Sequence, residues 1–461
     1  MKKALALILV MLMTVTVFAG CQGGTSSDTS SASPAATPSE SAGSTEESTA
    51  PAESSTSGKK VEIRVVTSYG GDDGNRINYE NAVAAYEEAT GNTVSDESGT
   101  SNEQWKAQIK TDFQTGSEPD VLFFFSGVDA DDIVKAGKVV TIDEIREVYP
   151  EYASNMKDEL LQASPADGKK YTVPVNGYWE AMFVNKRVLA DAGLEVPGAN
   201  TTWEEFMTMC QTIKDKGYTP IAASLQEVPH YWFEYTIFNE GNNQNHAELP
   251  ANPTDAAGER WTKGLDVIKE MYERGFFPEN TLTATDSETF QMMADDKAAF
   301  AIDGSWKVGW FTGSEDTSGN VDNLEDYTVT YVPGMGERKS TDIISGISMG
   351  YYITRKAWDD PEKREAAIKF IEHMTTDEVV SQFSGLAVTA LKNGVDLGDD
   401  IDPLSQSVID MNKGVTGTSP AVQDGLNATA RAVLFASIKD IVTGSTTPAD
   451  AIQTALDTPL E

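Results

Sequence analysis

Four short stretches set aromatic rings beside carboxylates or small polar residues: Tyr69-Gly70-Gly71-Asp72-Asp73-Gly74-Asn75, Asn176-Gly177-Tyr178-Trp179-Glu180, His230-Tyr231-Trp232-Phe233-Glu234 and Asp303-Gly304-Ser305-Trp306. Aromatic rings give flat apolar faces for C–H surfaces to pack on, and carboxylates accept hydrogen bonds from hydroxyl groups. The glycines at 70, 71 and 74 let a backbone approach a ligand closely, but the loop has neither the G-x-G-x-x-G spacing nor the lysine of a phosphate loop. No catalytic set accompanies these stretches. The chain has no G-x-S-x-G or H-E-x-x-H motif, and its three histidines (His230, His246, His373) lack zinc spacing. The oxygen-rich run from Asp316 has Val321 at its sixth position and Tyr327 at its twelfth, which excludes an EF-hand and leaves calcium only as an open option. No cofactor and no metal site are expected. With 72 acidic residues, carboxylate pairs arise by chance, so no glycosidase pair can be read from them.

The elements that must carry these residues alternate. VEIRVVTSY reads as a strand ending in the Gly-rich turn, and INYENAVAAYEEAT as a helix stopped by Gly91. TVSDES is a short strand, NEQWKAQIKTDFQT a helix, and EPDVLFFFSG a strand apolar on both faces. DADDIVKAGKVV follows as a helix with Asp129 as its cap. Strands and helices in this order indicate parallel α/β sheets. The segment from about 180 to 300 is richer in helix, with KYTVPV, EAMFVNK and AAFAIDG as strand-like pieces. YTVTYVPG and ISMGYYITR follow as further strand-like pieces, and the last third returns to helices.

The 461 residues suit two or three domains, and the net charge of -37 argues against nucleic-acid binding. Lys2 and Lys3 precede an apolar run from Ala4 to Phe18, too short to span a bilayer. Ala19, Gly20 and Cys21 follow it, and residues 22–60 are nearly all Ser, Thr, Ala, Gly, Pro and Glu, a composition that stays flexible. Residues 1–20 therefore read as an export signal and 21–60 as a tether. Cys210, the other cysteine, lies on the apolar side of a helical pattern, so no disulfide forms within one chain.

The export signal and Cys21 resemble a bacterial lipobox, with Phe18 where Leu is commonest. Further on, EEATG, EPDVLFFFSG…DIVKAGKVVTI, KKYTVPVNGYWEAMFVNKRVLADAGL, TTWEEF, DKAAFAIDGSW and SGISMGYYITRKAWDDPEKREAAIKFIEHMTTDE occur in order. Together they resemble the extracellular solute-binding proteins of bacterial ABC importers, in the maltose-binding-like branch that handles sugars and oligosaccharides. The resemblance implies an α/β fold of the two-lobed, type II periplasmic-binding-protein kind, with hinge crossings and a ligand cleft. Lobe one is expected at 61–173 and 331–382, and lobe two at 178–327 and 383–461, with crossings near Val173–Gly177, Thr328–Val332 and Phe383–Gly385. It implies a monomer that binds a mono- or oligosaccharide and passes it to permease subunits, touching the membrane only through lipid on Cys21. A non-sugar solute such as a polyamine, or a carbohydrate-active enzyme, are the alternatives.

Cleft residues follow from strand ends and from the resemblance. Tyr69, Asp72 and Asp73 lie in the first loop. Phe124 and Phe125 point to opposite faces of their strand, and the resemblance selects Phe124, with Ser126 beside it. It also gives Tyr178 a ligand contact, selects Trp232 from the Tyr231–Trp232 pair, and makes Trp306, with Gly304 and Ser305, a stacking platform. Ser345 and Gly346 would offer backbone groups. Asn427 and Arg431 are expected on a solvated helix face.

Overall fold

The computed structural model describes residues 60–313, 319–398 and 400–458. The leader, Cys21, the tether up to residue 59 and Asp316 lie outside the described residues. Ten strands form two sheets: β1 (Glu62–Val66), β2 (Thr93–Asp96), β3 (Val121–Phe125), β4 (Tyr178–Asn185), β5 (Thr219–Ile221), β6 (Ala298–Gly304), β7 (Tyr327–Thr330), β8 (Asp342–Gly346), β9 (Met349–Ile353) and β10 (Gly417–Ser419).

The first sheet has the order β2-β1-β3-β9. β1 is parallel to β2 and β3, and β9 closes the sheet antiparallel to β3. The apolar run Val121–Phe125 becomes a central strand because helices cover both its faces. Val121 and Phe123 pack with Tyr79 and Tyr86 on one side; Leu122 and Phe124 pack with Ile109 and Phe113 on the other. Helix Arg76–Thr90 ends at Gly91, whose φ of 73° carries the left-handed turn that suits glycine.

The second sheet has the order β10-β8-β4-β6-β5, with β7 also on β4. One edge of β4 pairs with β6 through residues 180–184, and the other is shared by β8 at its start and β7 at its end. β4 is buried along its whole length. Tyr178, Met182 and Val184 face the larger helical core, while Trp179, Ala181 and Phe183 face a second core with Phe290 and Phe311. KYTVPV forms no extended strand; Val173 makes a single bridge to Tyr351.

The structure departs from the expected lobe limits at two points; at one, Ala390 and Leu391 join the first sheet's core and Leu391 bridges to Met156, although 383–461 is expected in lobe two. At the other, β8 pairs with β4 (Tyr178 opposite Gly346), so residues 331–346 belong with the second sheet, although 331–382 is expected in lobe one. Ile347 is the first residue to pack with the first sheet's core. The chain therefore passes between the sheets after Val173, between Gly346 and Ile347, and in the segment after Phe383, which touches both cores before helix Pro403–Gly414. These crossings lie against one another. The Gly177 N–H donates to the Val388 carbonyl at 2.6 Å, and Asn176 Nδ2 donates to the Phe383 carbonyl at 3.1 Å. A Cβ on Gly177 would stand 2.4 Å from the Gly346 carbonyl oxygen, so only glycine allows these strands to meet.

Candidate functional site: a cavity between the two sheets

Between the sheets lies a cavity of about 320 Å³, in the size range of small-molecule sites. The first sheet lines it with Tyr69, Asp72, Asp73, Glu103, Lys106 and Phe125. The second contributes Tyr178, Glu180, Tyr231, Trp306, Gln423, Asp424 and Arg431. Tyr69, Asp72, Asp73 and Trp306, which follow strand ends, and Tyr178, which begins β4, are thus brought to one space.

The other expected residues support this wall from behind. Phe124 is fully buried against Trp105, ring centroids 5.4 Å apart. Its neighbour Phe125 reaches the cavity, because alternation along β3 sends the two rings to opposite faces. Trp232 stacks on Phe206 at 5.9 Å in the core, and Tyr231, one position earlier, turns outward. Ser126 Oγ lies 2.8 Å from Gln162 Oε1 and 3.0 Å from the Ser348 carbonyl, tying β3 to the start of β9. Ser345 Oγ donates to the Tyr178 carbonyl at 2.8 Å, and Gly346 lies beneath the Tyr178 ring, where a Cβ would be 3.4 Å away. Ser305 is buried, its N–H donating to the Trp179 carbonyl at 3.0 Å. Gly304 has a different part: a Cβ there would fall 2.2 Å from the Trp306 ring, so its lack of a side chain seats the indole. Trp306 and Tyr231 then form one aromatic wall, centroids 6.0 Å apart.

Two expectations are corrected. Asp129 is no helix cap. It is buried in a short turn, and Arg431 Nη2 donates to its carboxylate oxygens at 2.7 and 2.9 Å. Arg431 is not on a solvated face but is 1% exposed, and it also donates to both oxygens of Glu103 at 3.0 and 3.2 Å. Asn427 caps its helix by accepting from the Ala430 N–H. Lys106 Nζ completes the cluster, 3.0 Å from Glu103 and 3.3 Å from Asp129, with Phe125 under it at 4.0 Å. Burial alone would raise the Asp129 carboxyl, but Lys106 and Arg431 hold it below the usual carboxylate range. Arg431 belongs to the second sheet's helices, while Asp129, Glu103 and Lys106 belong to the first, so the cluster spans the cleft. On the opposite rim Ser287 Oγ donates to Asp72 at 2.6 Å, and Gly74 approaches the Trp306 carbonyl where a Cβ would be 1.9 Å away.

A second set of charges sits under Trp306. Lys307 Nζ lies 2.9 Å from Asp286 and 3.7 Å from Asp303. Burial pushes Asp303 up to about 7 despite Lys307. Burial likewise pushes Asp73 up to about 6, against the Asn75 N–H bond and Lys307. Glu180 is raised well above its ordinary value, first by burial and then by Asp424 and Asp303. Gln423 and Asp424 carry no local sequence signal for the cavity; for Glu180, alternation with Tyr178 along the strand is the available signal.

With this geometry in view, the chain matches the family of bacterial extracellular solute-binding proteins over residues 74–381. It belongs to that family. A Rhizobium meliloti protein named "Probable sugar-binding periplasmic protein" is 26% identical over 217 residues, covering 45% of this chain and 48% of that protein. The chain spans about half the length of the curated relatives it matches. Among solved structures, a chitin oligosaccharide binding protein superposes with a TM-score of 0.73 at 21% identity, over 87% of this chain and 98% of that one. The GacH receptor of Streptomyces glaucescens, solved unliganded and with acarbose, does so with 0.68 at 16% identity, over 87% and 97%. These likenesses show the type II periplasmic-binding-protein fold, two lobes around a cleft. Among the described residues no helix is long and apolar enough to cross a membrane.

The raised carboxyls give a pH signature. Asp303 and Asp73 keep their protons in the folded state to higher pH than in the unfolded chain, so the folded state binds more protons between the ordinary carboxylate range and about 6–7. Their contribution to stability is therefore largest at low pH and is lost as pH rises through that window. Asp303→Asn is expected to flatten the fall of melting temperature between about pH 4 and 7; an unchanged slope would remove Asp303 from the effect.

Proposed function

We propose that this protein captures a mono- or oligosaccharide in the cavity and delivers it to the permease subunits of an ABC importer without turning it over. It acts as a monomer at the extracellular face of the plasma membrane, held by lipid on Cys21. Lobe one is taken as residues 61–173, 347–383 and 390–393 and lobe two as 178–346 and 402–461, following the strand pairings and core packing. The observation that carries the reading is the aromatic wall of Trp306 and Tyr231, set opposite acceptors such as Asp72 and Asp73 and beside the unpartnered Nη1 donor of Arg431. A sugar presents C–H faces to such a wall and hydroxyls to such polar groups. Relatives and a structural neighbour named as sugar-binding or chitin oligosaccharide binding proteins support the same class.

Closure follows from the connections between lobes. A ligand touching both lobes binds the closed state better and shifts the population toward it. The Arg431 bonds to Asp129 and Glu103 exist only with the lobes together, so they add to the closed state.

Two substitutions test this. Trp306→Ala is expected to weaken saccharide binding by about 1–3 kcal/mol through lost stacking area, measured by titration calorimetry with the ligand found in a thermal-shift panel. An unchanged dissociation constant removes Trp306 from the site, and stabilisation by cations alone rejects the saccharide. Arg431→Ala leaves Asp129 without its main partner on closure and is expected to cost roughly 2–5 kcal/mol of affinity, seen as faster ligand release. Release at the wild-type rate would separate the ion cluster from closure.

A further inference from the structure

We propose that the captured saccharide carries a free, protonated amine, and that its ammonium docks at the corner of the cavity formed by Glu180 and Gln423. This rests on the saccharide reading above and narrows it.

Glu180 and Gln423 both line the cavity and are 3% and 4% exposed. Glu180 Oε2 and Gln423 Oε1 have no hydrogen-bond partner. Glu234, completely buried near Glu180, has neither carboxylate oxygen partnered. Asp424, next to Gln423, adds another carboxylate on the cavity wall. The cavity's basic groups form their ion pairs elsewhere, although Arg431 Nη1 keeps no partner. Lys106 and Arg431 hold Glu103 and Asp129, and Lys307 holds Asp286 and Asp303. Among the described residues no ion pair involves Glu180, Glu234 or Asp424.

The corner thus presents unpartnered acceptor oxygens among carboxyl groups that a bound cation would hold ionised. A sugar hydroxyl brings one donor and two acceptor lone pairs, whereas an ammonium brings three donors and no acceptor. The second group is the better complement, since it brings only donors to a corner of unpartnered oxygens and adds positive charge beside its carboxyls. Burial drives the Glu180 and Glu234 carboxyls up, with repulsion from Asp424 next for Glu180 and from Glu180 and then Asp424 for Glu234, against the Gln423 side chain; a cation at the corner relieves that repulsion. The adjacent rings of Tyr231 and Trp306 pack on the sugar face and also favour a cation. The protein's charge of -37 attracts a cationic solute over longer range.

The test is calorimetric titration of the full chain with three β-1,4-linked disaccharides of matched ring geometry: the glucosamine dimer, its N,N′-diacetyl form and cellobiose. The pH is set so that the amine carries its proton. The free-amine sugar is expected to bind at least about tenfold more tightly than either neutral one, as a charge-assisted contact implies. Glu180→Gln is expected to bring that ratio close to one, and Asp424→Asn serves as the second variant if Glu180→Gln does not fold. Equal or tighter binding of a neutral disaccharide overturns the amine inference and leaves the saccharide reading standing. Stabilisation by other neutral sugars with no response to the amine form does the same. If no saccharide binds, both readings fall.

Discussion

The guanidinium of Arg431 joins the two halves of this protein. It leaves water almost completely and meets two carboxylates, Asp129 and Glu103, that belong to the other sheet. Burying such a charge is costly unless it is paired and well hydrogen-bonded. Its two bonds to Asp129 and two to Glu103 can form only when helix Ala428–Val442 stands against the first lobe, so the pairing sets how far the cleft can close. Lys106 balances the second carboxylate, which leaves the knot of two cations and two anions without net charge.

The aromatic wall depends on small residues in the same way that the charge knot depends on its partners. β4 and β6 lie side by side with Glu180 opposite Gly304. At that register the missing side chain of Gly304 leaves room for the Trp306 ring, while Glu180 projects from the adjacent strand. One pairing therefore fixes both a stacking surface and a carboxylate. Gly177 plays a comparable part at the crossings, where three connections must touch for the lobes to share a hinge.

Much of the scaffold is legible in the sequence. β3, β4 and β6 stand out because both faces are apolar, and Gly91 marks a helix end by its need for a left-handed turn. The first loop and the Asp303–Trp306 turn reach the cavity as strand ends do. What the sequence hides is non-local. Asp129 and Arg431 lie 302 residues apart, so each looks like an ordinary polar residue on a surface helix until the other is placed. Neighbouring rings are hidden for a different reason: Phe124 and Phe125, or Tyr231 and Trp232, differ only in which face packing selects. The same holds for β8, whose pairing with β4 moves the second crossing to Gly346–Ile347.

A crystal structure of the protein with a bound saccharide tests the central claim most directly. The expected result is a sugar ring stacked on Trp306 between the two sheets, with Arg431 still paired to Asp129 across the closed cleft. A sugar bound outside this cavity, or held by one lobe with the Arg431 contacts broken, would contradict it.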